Sequence, residues 1–166
     1  IAEDHNTTLP ALLIDDLNKI KASAEKEIYD IADIFKKHLI NLLNADSLPE
    51  ENIELQERIK KACVYFTDKI ENVIYLASQK INIESDNKAV RTSINEAMDN
   101  LQKEAFIKIA GMKLCMNGFT TLAYLQTTAN AEIDYALTAK NKQSAQPKLA
   151  GNMPHAELYV SLKAWR

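Results

Sequence analysis

The stretch ALLIDDLNKIKASAEKEIYDIADIFKKHLINLLN, residues 11–44, contains neither Gly nor Pro. Leu13, Leu17, Ile20, Ala24, Ile28, Ile31, Phe35, Leu39 and Leu42 recur at steps of three and four, the spacing at which a helix presents one face. Sustained over this distance, the stripe predicts a helix of roughly 35 residues, about 50 Å long at 1.5 Å per residue. Thr8 is the expected N-cap, and Pro10 falls in the first turn, where its missing N–H costs no hydrogen bond. One apolar face of that length requires partners of similar length.

The following segments supply them. SLPEE, residues 47–51, carries a capping-box pattern, Ser47 with Glu50, and Pro49 sits close to the helix start. Its stripe runs through Leu55, Ile59, Ala62, Cys63, Phe66, Ile70, Val73, Ile74, Ala77 and Ile81. A third helix is expected from ESDNK, capped by Ser85 or Asp86, with Val90, Ile94, Met98, Leu101, Ala105, Ile109, Met112 and Met116 inward. Asn117-Gly118 reads as its stop, since Gly accepts the left-handed backbone that ends helices. Thr120 or Thr121 opens a shorter fourth helix with Leu122, Leu125, Ala129, Ile133 and Leu137 as its core face. Short connections between long helices make an antiparallel bundle of about four the economical all-α solution. After it, KNKQSAQPKLAGNMP has linker composition, and residues 155–166 carry a short amphipathic helix with Leu158, Leu162 and Trp165 on one face. The expected organisation is a bundle over 1–139, a linker over 140–154 and the start of a second module over 155–166.

Composition agrees: of 166 residues only 3 are Gly and 4 Pro, so the usual punctuation of loops is scarce. The net charge of −3 conceals an asymmetry. Residues 1–139 hold 15 Lys and Arg against 22 Asp and Glu, whereas residues 140–166 hold 5 against 1. The body is acidic and the tail basic. Cys63 and Cys115 lie within apolar helical patterns, with no second Cys or His at metal-ligand spacing, and are expected as reduced core thiols. No apolar run approaches the roughly 18 residues of a membrane span, and the N-terminus lacks the order of a signal peptide. A cytoplasmic protein with no membrane partner is expected. A first residue other than Met, and a last helix with nothing after it, read as the ends of an excised piece.

Candidate chemistry is sparse. Asp15, Asp16, Glu27, Asp30 and Asp33 invite a metal reading, but His5, His38 and His155 each lack the Glu three residues earlier that a carboxylate-bridged di-metal bundle uses. A solvated acidic face is expected, with His38 at its boundary. Gly111 and Gly118 stand alone, and no phosphate-loop or dinucleotide fingerprint occurs. Tyr65, Phe66, Tyr75, Tyr124 and Tyr135 are candidates for base stacking, yet they sit in acidic helices, and core packing is the favoured role. Lys140, Lys142, Lys148, Lys163 and Arg166 are the better nucleic-acid-binding candidates. No catalytic, cofactor or metal residue is assigned.

HAELYVSLKAWR, residues 155–166, resembles the first helix of the helicase-and-RNase-D C-terminal (HRDC) domain, through His155, Glu157, Leu158, Tyr159, Leu162, Lys163, Trp165 and Arg166. Ala156 stands where that pattern often has Pro. NIELQERIKKACVYFTDKIENVI (52–74) and IESDNKAVRTSINEAMDNLQKE (83–104) are similar to the helical region that follows the motor in bacterial Pif-type, superfamily 1B, DNA helicases ending in an HRDC domain. The resemblance implies a non-catalytic accessory region of an ATP-dependent DNA helicase. Its bundle would space or dock the motor relative to a DNA-binding HRDC domain. ATP and Mg would belong to the parent motor, and this chain would hold no cofactor of its own. The implied partners are DNA, reached through the parent enzyme, and the parent's own motor and HRDC domains.

A second reading is a helical interaction or self-association module, because the first helix has a coiled-coil-like seam. A monomer is nevertheless favoured. A third is an enzyme whose site forms only in three dimensions.

Overall fold

Asn52 and Asn87 decide where two of the helices begin. Asn52 has extended backbone (ψ 97°), and its side chain accepts from Leu55 N at 3.0 Å. Asn87 (ψ 111°) accepts from Ala89 N at 2.9 Å and Val90 N at 3.3 Å. Each satisfies an N–H that the helix itself leaves open. These caps replace the expected ones. Ser47 lies in a bend ahead of the turn over residues 49–51, and Glu50 bonds Thr121 rather than closing a capping box. Ser85 accepts from Asn87 N at 3.3 Å and thus supports the cap from outside. Thr8 and Asp86 lie outside the described residues.

The computed structural model describes residues 11–43, 47–83, 85 and 87–145. Among them are four helical rods and no strand, the all-α class expected from the sequence. Helix α1 (11–42) joins Ala11–Ala24, a π-helical turn Glu25–Tyr29 and Asp30–Leu42. Helix α2 (53–79) joins Ile53–Lys69, a π-helical segment Ile70–Tyr75 and Leu76–Gln79. Helix α3 is Lys88–Cys115 and helix α4 is Thr121–Ala145. Gly118 ends the α3 turn at φ +127°, where a Cβ would be strained.

Contacts between neighbours run in reverse order. Along α1 and α2, Leu42 meets Asn52, Phe35 meets Phe66 and Glu27 meets Lys69. Along α2 and α3, Gln56 meets Phe119 just beyond the helix end, Glu71 meets Lys113 and Tyr75 meets Phe106. Along α3 and α4, Gly111 faces Tyr124, Lys103 meets Glu132 and Asp99 meets Tyr135. The core joins α1, α2 and α3 through Ala24, Ile28, Phe66, Ile70, Ala105 and Ile109.

The π turn of α1 coincides with one local change in its stripe, while Phe35, Leu39 and Leu42 stay half-buried as the spacing predicts. Ala32, not Ile31, packs on the core, and Ile31 is 38% exposed.

Helix α4 departs further from expectation. Its inward residues are Tyr124, Thr128, Ala131 and Tyr135, while Leu122, Leu125 and Ile133 are more than half exposed and Ala129 is exposed too. The apolar period of the segment is real, but α4 approaches α3 at Gly111, and a close approach selects small residues and flat rings over leucines. The chain divides into two units at Tyr135–Ala136. In the second, α4 continues to Ala145, so residues 140–145 of the expected linker are helical. They contain no Gly or Pro, and Ala, Lys and Gln are good helix formers. The short helix expected over 155–166 lies outside the described residues. No helix among the described residues is long and apolar enough to cross a membrane.

Candidate functional site

Lys140 and Lys142 fall in the last turns of α4, and Lys148, Lys163 and Arg166 lie outside the described residues. The candidate aromatics are used internally. Phe66 is buried, with its ring 5.3 Å from Tyr65 and 5.8 Å from Phe35. Tyr65 donates to Glu27 O at 2.9 Å. Tyr75, Phe106 and Tyr135 form a chain of tilted rings, and Tyr135 donates to Asp99 Oδ1 at 2.9 Å. Burial, with the Asp99 bond second, pushes the Tyr135 phenol up. Tyr124 packs on Phe119.

The acidic residues are dispersed. Asp16 pairs with Lys19 at 3.1 Å, and Glu27 with Lys69 at 2.7 Å. The Glu27 hydrogen bond and charge hold the Lys69 ammonium more firmly protonated than usual. No group of three His, Cys, Asp or Glu among the described residues is placed to hold a metal ion. Cys63 and Cys115 are buried and face each other across α2 and α3. Burial first, then the neighbouring Cys115, pushes the Cys63 thiol up to about 12, which leaves almost no thiolate near neutrality.

Cations and apolar surface converge in a groove of about 190 Å³ between α1 and α2. Ile31, Ile34 and Phe35 form one wall, Ala62, Tyr65 and Phe66 the other, and Arg58 and Lys61 also line it. Arg58 Cζ lies 5.8 Å from the Phe35 ring centroid, within cation–π range. Its Nη2 donates to His38 Nδ1 at 3.2 Å, which requires that nitrogen to be unprotonated. Arg58 Nε is buried without a partner. A second, more open groove lined by His38, Asn41, Leu42, Glu54 and Arg58 adjoins it. Sequence reasoning missed this site because Arg58 and Lys61 come from α2 while Ile34 and Phe35 come from α1. Only their recurrence at three-residue spacing beside Ala62 and Tyr65 hinted at a cationic edge.

At the same end of the bundle, side chains from α2 and the turn before it tie down the chain entering α4. Glu50 Oε1 accepts from Thr121 N at 2.9 Å and Thr121 Oγ1 at 2.6 Å, placing a negative charge at the α4 N-terminus. Gln56 Nε2 donates to Pro49 O and Phe119 O, both at 2.9 Å.

A family model described as DNA helicase, middle domain, matches residues 1–136. No curated protein and no solved structure matches the chain.

Proposed function

The chain belongs to the DNA helicase middle-domain family, and from that premise we propose that it is a non-catalytic accessory region of an ATP-dependent, Pif-type DNA helicase. The observation that carries this reading is the family match over residues 1–136, which ends beside the unit boundary at Tyr135–Ala136. In this reading the bundle is a stiff spacer. Its long helices, locked by Gln56 and Glu50 at one end, hold the motor at a fixed distance from an HRDC domain that begins at His155. ATP and Mg act in the motor, in the cytoplasm, and the chain is a monomer. DNA contact falls to Lys140, Lys142, Lys148, Lys163 and Arg166, because the body is acidic and counterion release requires cations.

Anisotropy titrations with labelled duplex and single-stranded DNA over a series of salt concentrations test that placement. Weak, steeply salt-dependent binding that disappears when the five cations are changed to Gln is the expected result. Undiminished binding by that variant would move the contact to the bundle and end the inert-spacer assignment. The helicase context is tested by the flanking gene sequence, where a phosphate loop upstream and the rest of an HRDC domain downstream are expected.

A second reading, an interaction module, is favoured by the exposed stripe Leu122, Leu125, Ala129 and Ile133 on α4. Sedimentation velocity at several concentrations separates the two for self-association. A sedimentation coefficient that rises with concentration supports the second.

A further inference from the structure

We propose that the groove between α1 and α2 docks an acidic, apolar segment of a partner protein. One large apolar side chain seats between Ile34 and Tyr65, and a neighbouring Asp or Glu carboxylate pairs with Arg58 and Lys61. This goes beyond the helicase reading and does not depend on it.

Size narrows the occupant. The groove holds about 190 Å³, and an apolar cavity of about 150 Å³ accommodates benzene, whereas cofactor pockets start near 300 Å³. One large apolar side chain fits. The rim already invites cover: Ile31 is 38% exposed and Ile34 is 52% exposed.

Charge narrows it further. Two cations and no carboxylate line the groove, on a body that is otherwise acidic. Of the guanidinium donors, Nη2 is spent on His38 and Nε has no acceptor, so Arg58 retains N–H groups for a carboxylate fork. Removing water from the groove by seating an apolar side chain strengthens that pair.

The same features disfavour a nucleic-acid strand. Base stacking needs open ring faces, but Phe35 is engaged by Arg58 and Phe66, and Tyr65 by Lys69 and Phe66. A phosphate track needs a run of cations, and Glu54 lines the adjoining groove where such a track would continue.

The test is fluorescence anisotropy on the whole chain with three labelled probes. These are a peptide with a Leu-Phe pair flanked by Asp residues, the same peptide with Asn for every Asp, and an oligothymidylate. Saturable binding of the acidic peptide is expected, weakened about tenfold or more by the Asn replacement. Arg58→Gln and Lys61→Gln should each weaken the acidic peptide, and Arg58→Gln should narrow the gap between the two peptides. Ile34→Asp, at an exposed rim position that leaves the core untouched, should block binding while the melting curve is retained. The proposal is overturned if the acidic peptide does not saturate, or if both peptides bind wild type equally. It is also overturned if only the oligothymidylate binds and Arg58→Gln abolishes that binding.

Discussion

Gln56 closes both backbone groups of Phe119 with a single amide: Nε2 donates to the carbonyl at 2.9 Å, and Oε1 accepts from the N–H at 2.8 Å. The two residues are 63 positions apart in sequence, so one side chain fixes how the α3–α4 turn sits against the start of α2. Gln56→Ala removes these bonds and the one to Pro49, leaving half-buried backbone groups without partners. A loss of about 2 kcal/mol is expected. It should appear as a fall in Tm of roughly 4–8 °C by circular dichroism.

Gly111 is required by its neighbour across the helix interface. A Cβ there would stand 2.7 Å from Tyr124 Cε2 and 3.1 Å from Thr128 Cγ2. Replacing Gly by Ala inside a helix gains about 1 kcal/mol of propensity, while overpacking costs about 1–3 kcal/mol. Gly111→Ala should therefore destabilise the chain in urea titrations by about 1 kcal/mol. In a Tyr124→Ala background the same change should cost less, because the nearer contact is gone while that with Thr128 remains.

Acid should release the α4 cap. The Thr121 hydroxyl, and after it the Thr121 amide, hold Glu50 below the ordinary glutamate value of 4.5. The unfolded chain binds that proton more readily, so the carboxylate contributes stability above the ordinary value. That contribution is lost as pH falls through the lowered folded value. Wild type should melt above Glu50→Gln near neutral pH. The gap should begin to narrow as pH falls below 4.5 and vanish below the lowered folded value. A gap independent of pH would show that the carboxylate charge plays no part in capping α4.

The outward face of α4 should be indifferent to polarity. Leu125→Gln and Ile133→Gln should change stability by no more than about 0.5 kcal/mol. Ala131 is 5% exposed, and Ala131→Gln, forced between α3 and α4, should cost about 1–3 kcal/mol. Thermal melts of the three variants decide it. A large loss from Leu125→Gln alone would mean that α4 packs through its leucines after all.

Much of the architecture was legible in one dimension because long helices advertise themselves by period. The stripe from Leu13 to Leu42 foretold α1, and Gly118 foretold the end of α3. Errors arose where two residue types compete for one role. Ser47 with Glu50 satisfies the capping-box pattern, but Asn52 lies nearer the apolar run, and Glu50 is drawn to Thr121 by a contact 71 residues away. In α4 the period was read correctly and its direction wrongly. Leu122, Leu125 and Ile133 are the more hydrophobic face, but Gly111 on α3 admits Tyr124 and Thr128 instead. The α1–α2 groove was not legible, since each helix contributes half of it and neither half is distinctive alone.

The wide turns at Glu25–Tyr29 and Ile70–Tyr75 bear on how the chain tolerates changes of length. Each holds one residue beyond an ordinary turn, so a single deletion inside it restores regular helix while the faces on either side keep their directions. The same deletion within Lys88–Cys115 would rotate one end of α3 by about 100° against the other and pull its inward residues out of the core. Two of the long rods thus carry a spare residue, and α3, the rod that packs against both α2 and α4, carries none.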